Sequence, residues 1–258
     1  MPSCTTIARG LMHALFAVLA LRLAAPAAAA EPPAGVAALP VGARVLFQGD
    51  SITDGNRGRS SDPNHILGHG YQFLVAAQLG SAWPERKLVF INRGVSGNRV
   101  ADLAQRWQQD ALDLKPDVLS ILVGVNDVTH AQDGSAPGTA ATYEAAYDAL
   151  LARTVAALPA VRLVLGEPFL LPVGRFAEQF PARAAEMAAY QEAVARLAIK
   201  YHAPLVRYQR LFTAACARAP ADYWIWDGVH PTYNGHGLMA VEWLRTWDAQ
   251  AGAAAPAP

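Results

Sequence analysis

The chain has 258 residues, 53% hydrophobic and only 16% charged, with 21 Lys and Arg against 21 Asp and Glu. Its length suits one α/β domain with a sizeable core. The apolar content excludes an intrinsically disordered chain, and the even charge balance argues against a nucleic-acid partner.

Residues 1–30 read as a secretory signal: Arg9 supplies a positive start, residues 11–21 an apolar run, and Ala28-Ala29-Ala30 a small-residue cleavage site. Arg22 interrupts the run before it can comfortably span a bilayer. The sequence therefore predicts an exported protein, periplasmic or extracellular, with no stable membrane insertion after cleavage. Cleavage would leave 19 basic and 21 acidic side chains, with Cys216 as the one remaining cysteine and no internal disulfide. Residues 31–42 form a Pro/Ala/Gly-rich lead-in and residues 249–258 an Ala/Pro tail, both expected to be mobile.

Between them, residues 43–248 alternate short apolar runs with longer helical patterns. Strands are expected at 45–48, 88–92, 118–123, 162–166 and 204–206, as in a parallel sheet buried on both faces. Helices are expected at 71–79, 99–112, 142–158, 182–201 and 235–247. Repeated strand-helix-strand units imply crossovers and a doubly wound sheet.

Four segments carry groups that one reaction needs. Gly49-Asp50-Ser51 offers a hydroxyl, Gly94-Val95-Ser96-Gly97-Asn98 and Gly124-Val125-Asn126-Asp127 offer hydrogen-bond donors, and Asp227-Gly228-Val229-His230 offers an acid-paired imidazole. A serine hydroxyl needs a neighbouring base to attack a carbonyl carbon. His230 is that candidate base, with Asp227 fixing its tautomer. The amides of Ser51 and Gly97 and the side chain of Asn126 are candidates for an oxyanion hole, each donor worth roughly 3–4 kcal/mol in the transition state. The first three blocks follow predicted strand ends, the edge where open α/β sheets bind ligands. Ser51 is not in a Gly-x-Ser-x-Gly elbow, which argues against the α/β-hydrolase arrangement.

These blocks resemble the signatures of the SGNH, or GDSL-type, hydrolase family, whose four named residues match Ser51, Gly97, Asn126 and His230. The resemblance covers about residues 45–244 and makes 43–248 the catalytic domain. It implies a flavodoxin-like three-layer α/β/α sandwich with a five-stranded parallel sheet, and ester hydrolysis without a cofactor. Residues 46–54 (LFQGDSITD), 67–71 (LGHGY), 92–127 and 226–236 (WDGVHPTYNGH) look like the bacterial acetylxylan esterase branch. That likeness implies an acetylated carbohydrate substrate, with a lysophospholipid or acyl thioester as the alternative. Relatives in that branch can be oligomeric, so the resemblance also allows a homo-oligomer.

Plainer roles compete at several positions. Ser51 could cap a helix, Gly97 could serve only a turn with positive φ, and Asp50 and Asp127 fit hydrogen-bonding braces. Asp50, Asp54, His65, His69, Asp227, His230 and His236 include metal-ligand types but no recognised close spacing, so no metal is expected. Cys216 reads as a buried structural thiol. The polar stretch 56–71 is suited to a rim over the crevice, with Tyr71 as a substrate contact. Trp226 could stack on a sugar face.

Overall fold

The computed structural model describes residues 31–254, so the expected signal and residues 255–258 of the tail lie outside the described residues. In chain order the elements are α1 (Ala34–Ala37), β1 (Arg44–Gly49), α2 (Ser51–Asp54), α3 (Tyr71–Ala82), β2 (Val89–Asn92), α4 (Val100–Trp107) and β3 (Val118–Leu122). They continue as α5 (Val125–Gln132), α6 (Ala140–Ala157), β4 (Arg162–Gly166), α7 (Phe180–Lys200), β5 (Leu205–Val206), α8 (Tyr208–Ala215), α9 (Ala221–Trp224) and α10 (Tyr233–Ala254). Each of the five expected strands is present, shifted by at most one residue at either end.

The strands form one parallel sheet in the order β2-β1-β3-β4-β5, with Phe47 registered on Asn92 at one side and Ser120 on the other. Every residue of β3 is buried, as expected for a strand covered on both faces. From β1 the chain moves outward to β2 and then returns past β1 to β3. The order therefore reverses at β1, and the carboxyl ends of β1 and β3 flank a crevice suited to a ligand.

Helices α1, α3, α8 and α10 pack together in one group, while α4, α5, α6 and α7 make up a second. Phe47 meets Tyr71 edge-on with ring centroids 5.8 Å apart and lies 5.6 Å from Trp243. The buried indoles keep polar partners: Trp243 donates to Ser120 Oγ at 2.9 Å, and Trp107 to Thr154 Oγ1 at 2.9 Å. Unpaired, each N–H would carry a desolvation penalty of about 1–3 kcal/mol.

Two terminal expectations are corrected. The lead-in is docked, because Val36 and Leu39 are buried, Gly35 N–H donates to Asp248 in α10, and Arg86 donates to the carbonyls of Val36, Ala37 and Leu39. Helix α10 continues to Ala254, so the Ala/Pro tail begins as helix. Among the described residues no helix is long and apolar enough to cross a membrane.

Candidate active site

Ser51 is the first residue of α2, immediately beyond β1. Asp50 caps that helix, its Oδ1 accepting the N–H of Ile52 at 3.0 Å. The opposite wall comes from the loop between α9 and α10, where Trp226 N–H donates to the His230 carbonyl at 3.1 Å. That loop brings His230 Nε2 to 2.8 Å from Ser51 Oγ. On the far side of the ring, His230 Nδ1 lies 2.7 Å from Asp227 Oδ2. An ionised carboxylate can only accept, so Nδ1 carries the proton and Nε2 presents its lone pair to the hydroxyl.

Asp227 is itself fixed, because Oδ1 accepts the N–H groups of Val229 at 2.9 Å and His230 at 2.7 Å. Burial works against its charge, but these hydrogen bonds and the one from the imidazole hold its carboxyl below the ordinary value. The hydrogen bond to Asp227 raises the pKa of His230 above that of a free histidine, against the opposing effect of burial. This couple can take a proton from Ser51 and hold it.

The loop that carries Gly97 follows β2. Ser96 N–H is tied to Asp54 Oδ2 and Asn98 N–H to the Val95 carbonyl, whereas Gly97 N–H has no acceptor among the described residues. Gly97 has φ +82°, which a side chain would strain, and an added Cβ would meet open space. Asn126 sits in the first turn of α5 and donates through Nδ2 to the Asn98 carbonyl at 3.1 Å. That bond leaves its second N–H for another acceptor. Ser51 heads α2, where helix geometry gives its N–H no intrahelical partner.

Residues to which the sequence assigned no supporting role hold this arrangement. Asp54, at the end of α2, accepts both the N–H and Oγ of Ser96 at 3.0 and 3.1 Å while pairing with both terminal nitrogens of Arg59. Gly94 touches α2 so closely that a Cβ would collide with the backbone nitrogen of Asp54. Arg106 donates to Asn98 Oδ1 at 2.8 Å and to the Gly49 carbonyl at 3.4 Å, joining two site segments. The signal for Asp54 was present in the sequence as a second carboxylate, three residues beyond Ser51 in Asp50-Ser51-Ile52-Thr53-Asp54.

Asp50 and Asp127 act as braces. Asp127 accepts the N–H of Val100 at 3.2 Å, fixing the start of α4 just beyond the loop that carries Gly97. Burial pushes the Asp127 carboxyl up to about 6 and the Asp50 carboxyl up to about 7.

The other candidates separate by burial. Tyr71, expected to contact substrate, is fully buried and has its hydroxyl 3.1 Å from Thr53 Oγ1, so its ring belongs to the core. Trp226 is 63% exposed and lies against His230, centroids 6.0 Å apart and planes 23° from parallel. Trp224 is buried and donates to the Ala215 carbonyl at 3.1 Å. His236 Nδ1 accepts the N–H of Tyr71 at 3.1 Å, and burial, aided by His230, pushes its pKa down to about 4. Cys216 is half-buried, and burial raises its thiol pKa. Among the described residues no cluster of three or more His, Cys, Asp or Glu side chains is arranged to hold a metal ion.

Residues 47–238 match the GDSL-like lipase/acylhydrolase family. An acetylxylan esterase from Geobacillus stearothermophilus is 34% identical over 208 residues, covering 79% of this chain and 93% of that protein. The crystal structure of Axe2, an acetylxylan esterase from the same organism, superposes with a TM-score of 0.70 at 32% identity, covering 81% of this chain and 96% of that one. A protein described as a GDSL-like lipase from Parabacteroides merdae gives a TM-score of 0.78 at 39% identity, covering 81% of this chain and 97% of that one.

Proposed function

We propose, from the premise that this chain belongs to the GDSL-like lipase/acylhydrolase family and is a carboxylic ester hydrolase, that it removes acetyl groups from xylan-type polysaccharides or oligosaccharides. The observation that carries the substrate reading is the exposed Trp226 ring set against the imidazole of His230. It offers a flat apolar platform at the point where the ester must sit, and a pyranose ring presents a matching apolar face. The likeness to an acetylxylan esterase over most of the chain supports the same reading.

The reaction follows from the hydrogen bonds. As Ser51 Oγ attacks the acetyl carbonyl, His230 Nε2 takes its proton, and Asp227 stabilises the imidazolium. Charge on the former carbonyl oxygen is met by the N–H groups of Ser51 and Gly97 and by the Asn126 carboxamide. His230 then gives its proton to the departing sugar oxygen, leaving an acetyl-serine. Water, deprotonated by His230, attacks that ester and releases acetate.

The same reading includes export, supported by the charged start, apolar run and Ala28-Ala29-Ala30 of the first thirty residues. The deciding measurement is acetate release from acetylated xylo-oligosaccharides beside hydrolysis of p-nitrophenyl octanoate and a lysophospholipid. Turnover of the acetylated sugar must dominate; preference for the long acyl chain would make the enzyme a lipid esterase.

A further inference from the structure

Beside the loop that carries Gly97 lies a cavity of about 430 Å³ walled by Arg57, Arg59, Arg93 and Asp110. Its charges do not balance. Arg57, Arg59, Arg93 and Arg106 cluster there, whereas among the described residues Asp54 and Asp110 alone oppose them, leaving a surplus of two positive charges.

The carboxylates are already engaged. Asp54 receives both terminal nitrogens of Arg59 at 3.0 and 2.8 Å, and Asp110 receives Arg106 at 2.9 Å. Arg57 uses Nε to hold the Gly94 carbonyl at 2.9 Å, and neither of its terminal nitrogens has an acceptor among the described residues. Arg93 has only a 3.7 Å approach of Nε to Asp110 and a 3.4 Å bond to the Asn92 carbonyl. Burial, followed by the charges of Arg59 and Arg93, lowers the Arg57 pKa to about 10. Asp54 and Asp110 offset part of this repulsion, but neither accepts a hydrogen bond from the terminal nitrogens of Arg57 or from Arg93 among the described residues.

We infer that this cavity is an anion subsite that binds a carboxylate carried by the substrate, a uronosyl branch on the acetylated glycan. This inference rests on the carbohydrate esterase reading above. The planar fork of a guanidinium matches a carboxylate bidentately, and the two underused guanidiniums supply the donors. Position also fits. One helical turn and three further residues separate Ser51 from Arg57, a span of at most about 15 Å. The Gly94 carbonyl held by Arg57 belongs to the loop that carries Gly97. A glycan with its acetyl group at Ser51 can therefore reach the cavity through a few sugar rings.

The test compares two acetylated xylo-oligosaccharides of equal length, one neutral and one bearing a glucuronosyl branch, with wild type, Arg93→Gln and Arg57→Gln. Wild type is expected to show kcat/KM at least about tenfold higher on the acidic substrate, a ratio that shrinks as salt is raised. Both variants should bring the ratio near one. Using the ratio cancels any general loss that Arg57→Gln causes by freeing Gly94. Equal rates on both substrates by wild type, or an unchanged ratio in both variants, overturn the subsite and leave the esterase reading standing. Failure on both sugars with retained p-nitrophenyl acetate hydrolysis overturns the carbohydrate reading itself. In that case the deacetylated oligosaccharides are tried as inhibitors of p-nitrophenyl acetate turnover, and absence of tighter inhibition by the acidic one removes the subsite as well.

Discussion

Asp54 Oδ2 receives the N–H of Ser96 at 3.0 Å and its hydroxyl at 3.1 Å, so the helix that begins with the nucleophile is bolted to the loop that presents Gly97. Two halves of the site that come from different strands are thereby held in one register. Asp54→Ala should act through position rather than through contact with substrate. Losing two hydrogen bonds to a charged acceptor, each worth about 1.5–3 kcal/mol, is expected to lower kcat by about 10- to 100-fold. KM should change little, and Asp54→Asn should recover part of the rate. A proportional rise in KM with unchanged kcat would instead mean that Asp54 shapes ground-state binding.

Replacing the reacting groups should separate chemistry from binding. Ser51→Ala removes the acyl-enzyme route, and Asp227→Asn disturbs the His230 tautomer; each is expected to lower kcat by about 10⁴-fold or more. Asn126→Ala should lose roughly 10²–10³ through one missing donor. Steady-state kinetics on p-nitrophenyl acetate give these values, and acetate release that survives Ser51→Ala would remove the nucleophile assignment.

The base must be neutral to accept the Ser51 proton, so activity should rise with pH as His230 loses its own. Its hydrogen bond to Asp227 is the largest influence and raises its pKa. The acid limb of kcat/KM should therefore have its midpoint above about 6.5, the ordinary histidine value. Asp227→Asn weakens that hold and should move the limb to lower pH in the residual activity. A limb that stays fixed would assign it to another group.

Much of this arrangement is legible in the chain because chemistry restricts residue type where strands end. Val45 to Gln48 and Val118 to Val123 are mostly apolar runs, each with a single polar residue, and the reactive blocks follow directly. Less visible were contacts that depend on the third dimension. Tyr71 reads as a rim residue because Gly68, His69 and Gly70 precede it; its helical spacing with Val75 and Leu79, both buried, is the signal that places it in the core. Helix α5 escaped notice because Asn126 and Asp127 occupy its first turn, where polar side chains read as loop. The docking of Val36 depends on α10, some two hundred residues later, which no local pattern encodes.

Asp50 should make stability fall as pH rises. Burial lifts its carboxyl to about 7 from an ordinary 3.8, and Oδ2 has no hydrogen-bond partner. Between those values the native chain holds a proton that the unfolded chain has released, so stability is present at low pH and is lost as pH climbs through about 7. Asn keeps the oxygen that caps α2 and removes the ionisation. Thermal unfolding of Asp50→Asn should therefore gain on wild type between pH 5 and 8, by a difference on the order of 1–4 kcal/mol. A constant gap between the two curves would show that this carboxyl does not titrate in that range.

Gly97 allows conformation to be separated from crowding. Its φ of +82° is costly for any residue with a side chain, yet an added Cβ meets nothing within 4 Å. Alanine there is disfavoured by the backbone alone, by about 1–2 kcal/mol. The chain can accept that strain or relax it by turning the 96–97 peptide, and turning it swings the Gly97 N–H away from the developing oxyanion. Because Asp54 fixes Ser96 on one side and Asn126 holds the Asn98 carbonyl on the other, the strain is confined to this one residue. Gly97→Ala should lower Tm by about 2–8 °C. It should reduce kcat by up to about 10²-fold with KM nearly unchanged, as expected when one oxyanion donor is lost. A variant with lowered Tm but full kcat would mean that this amide does not donate to the transition state.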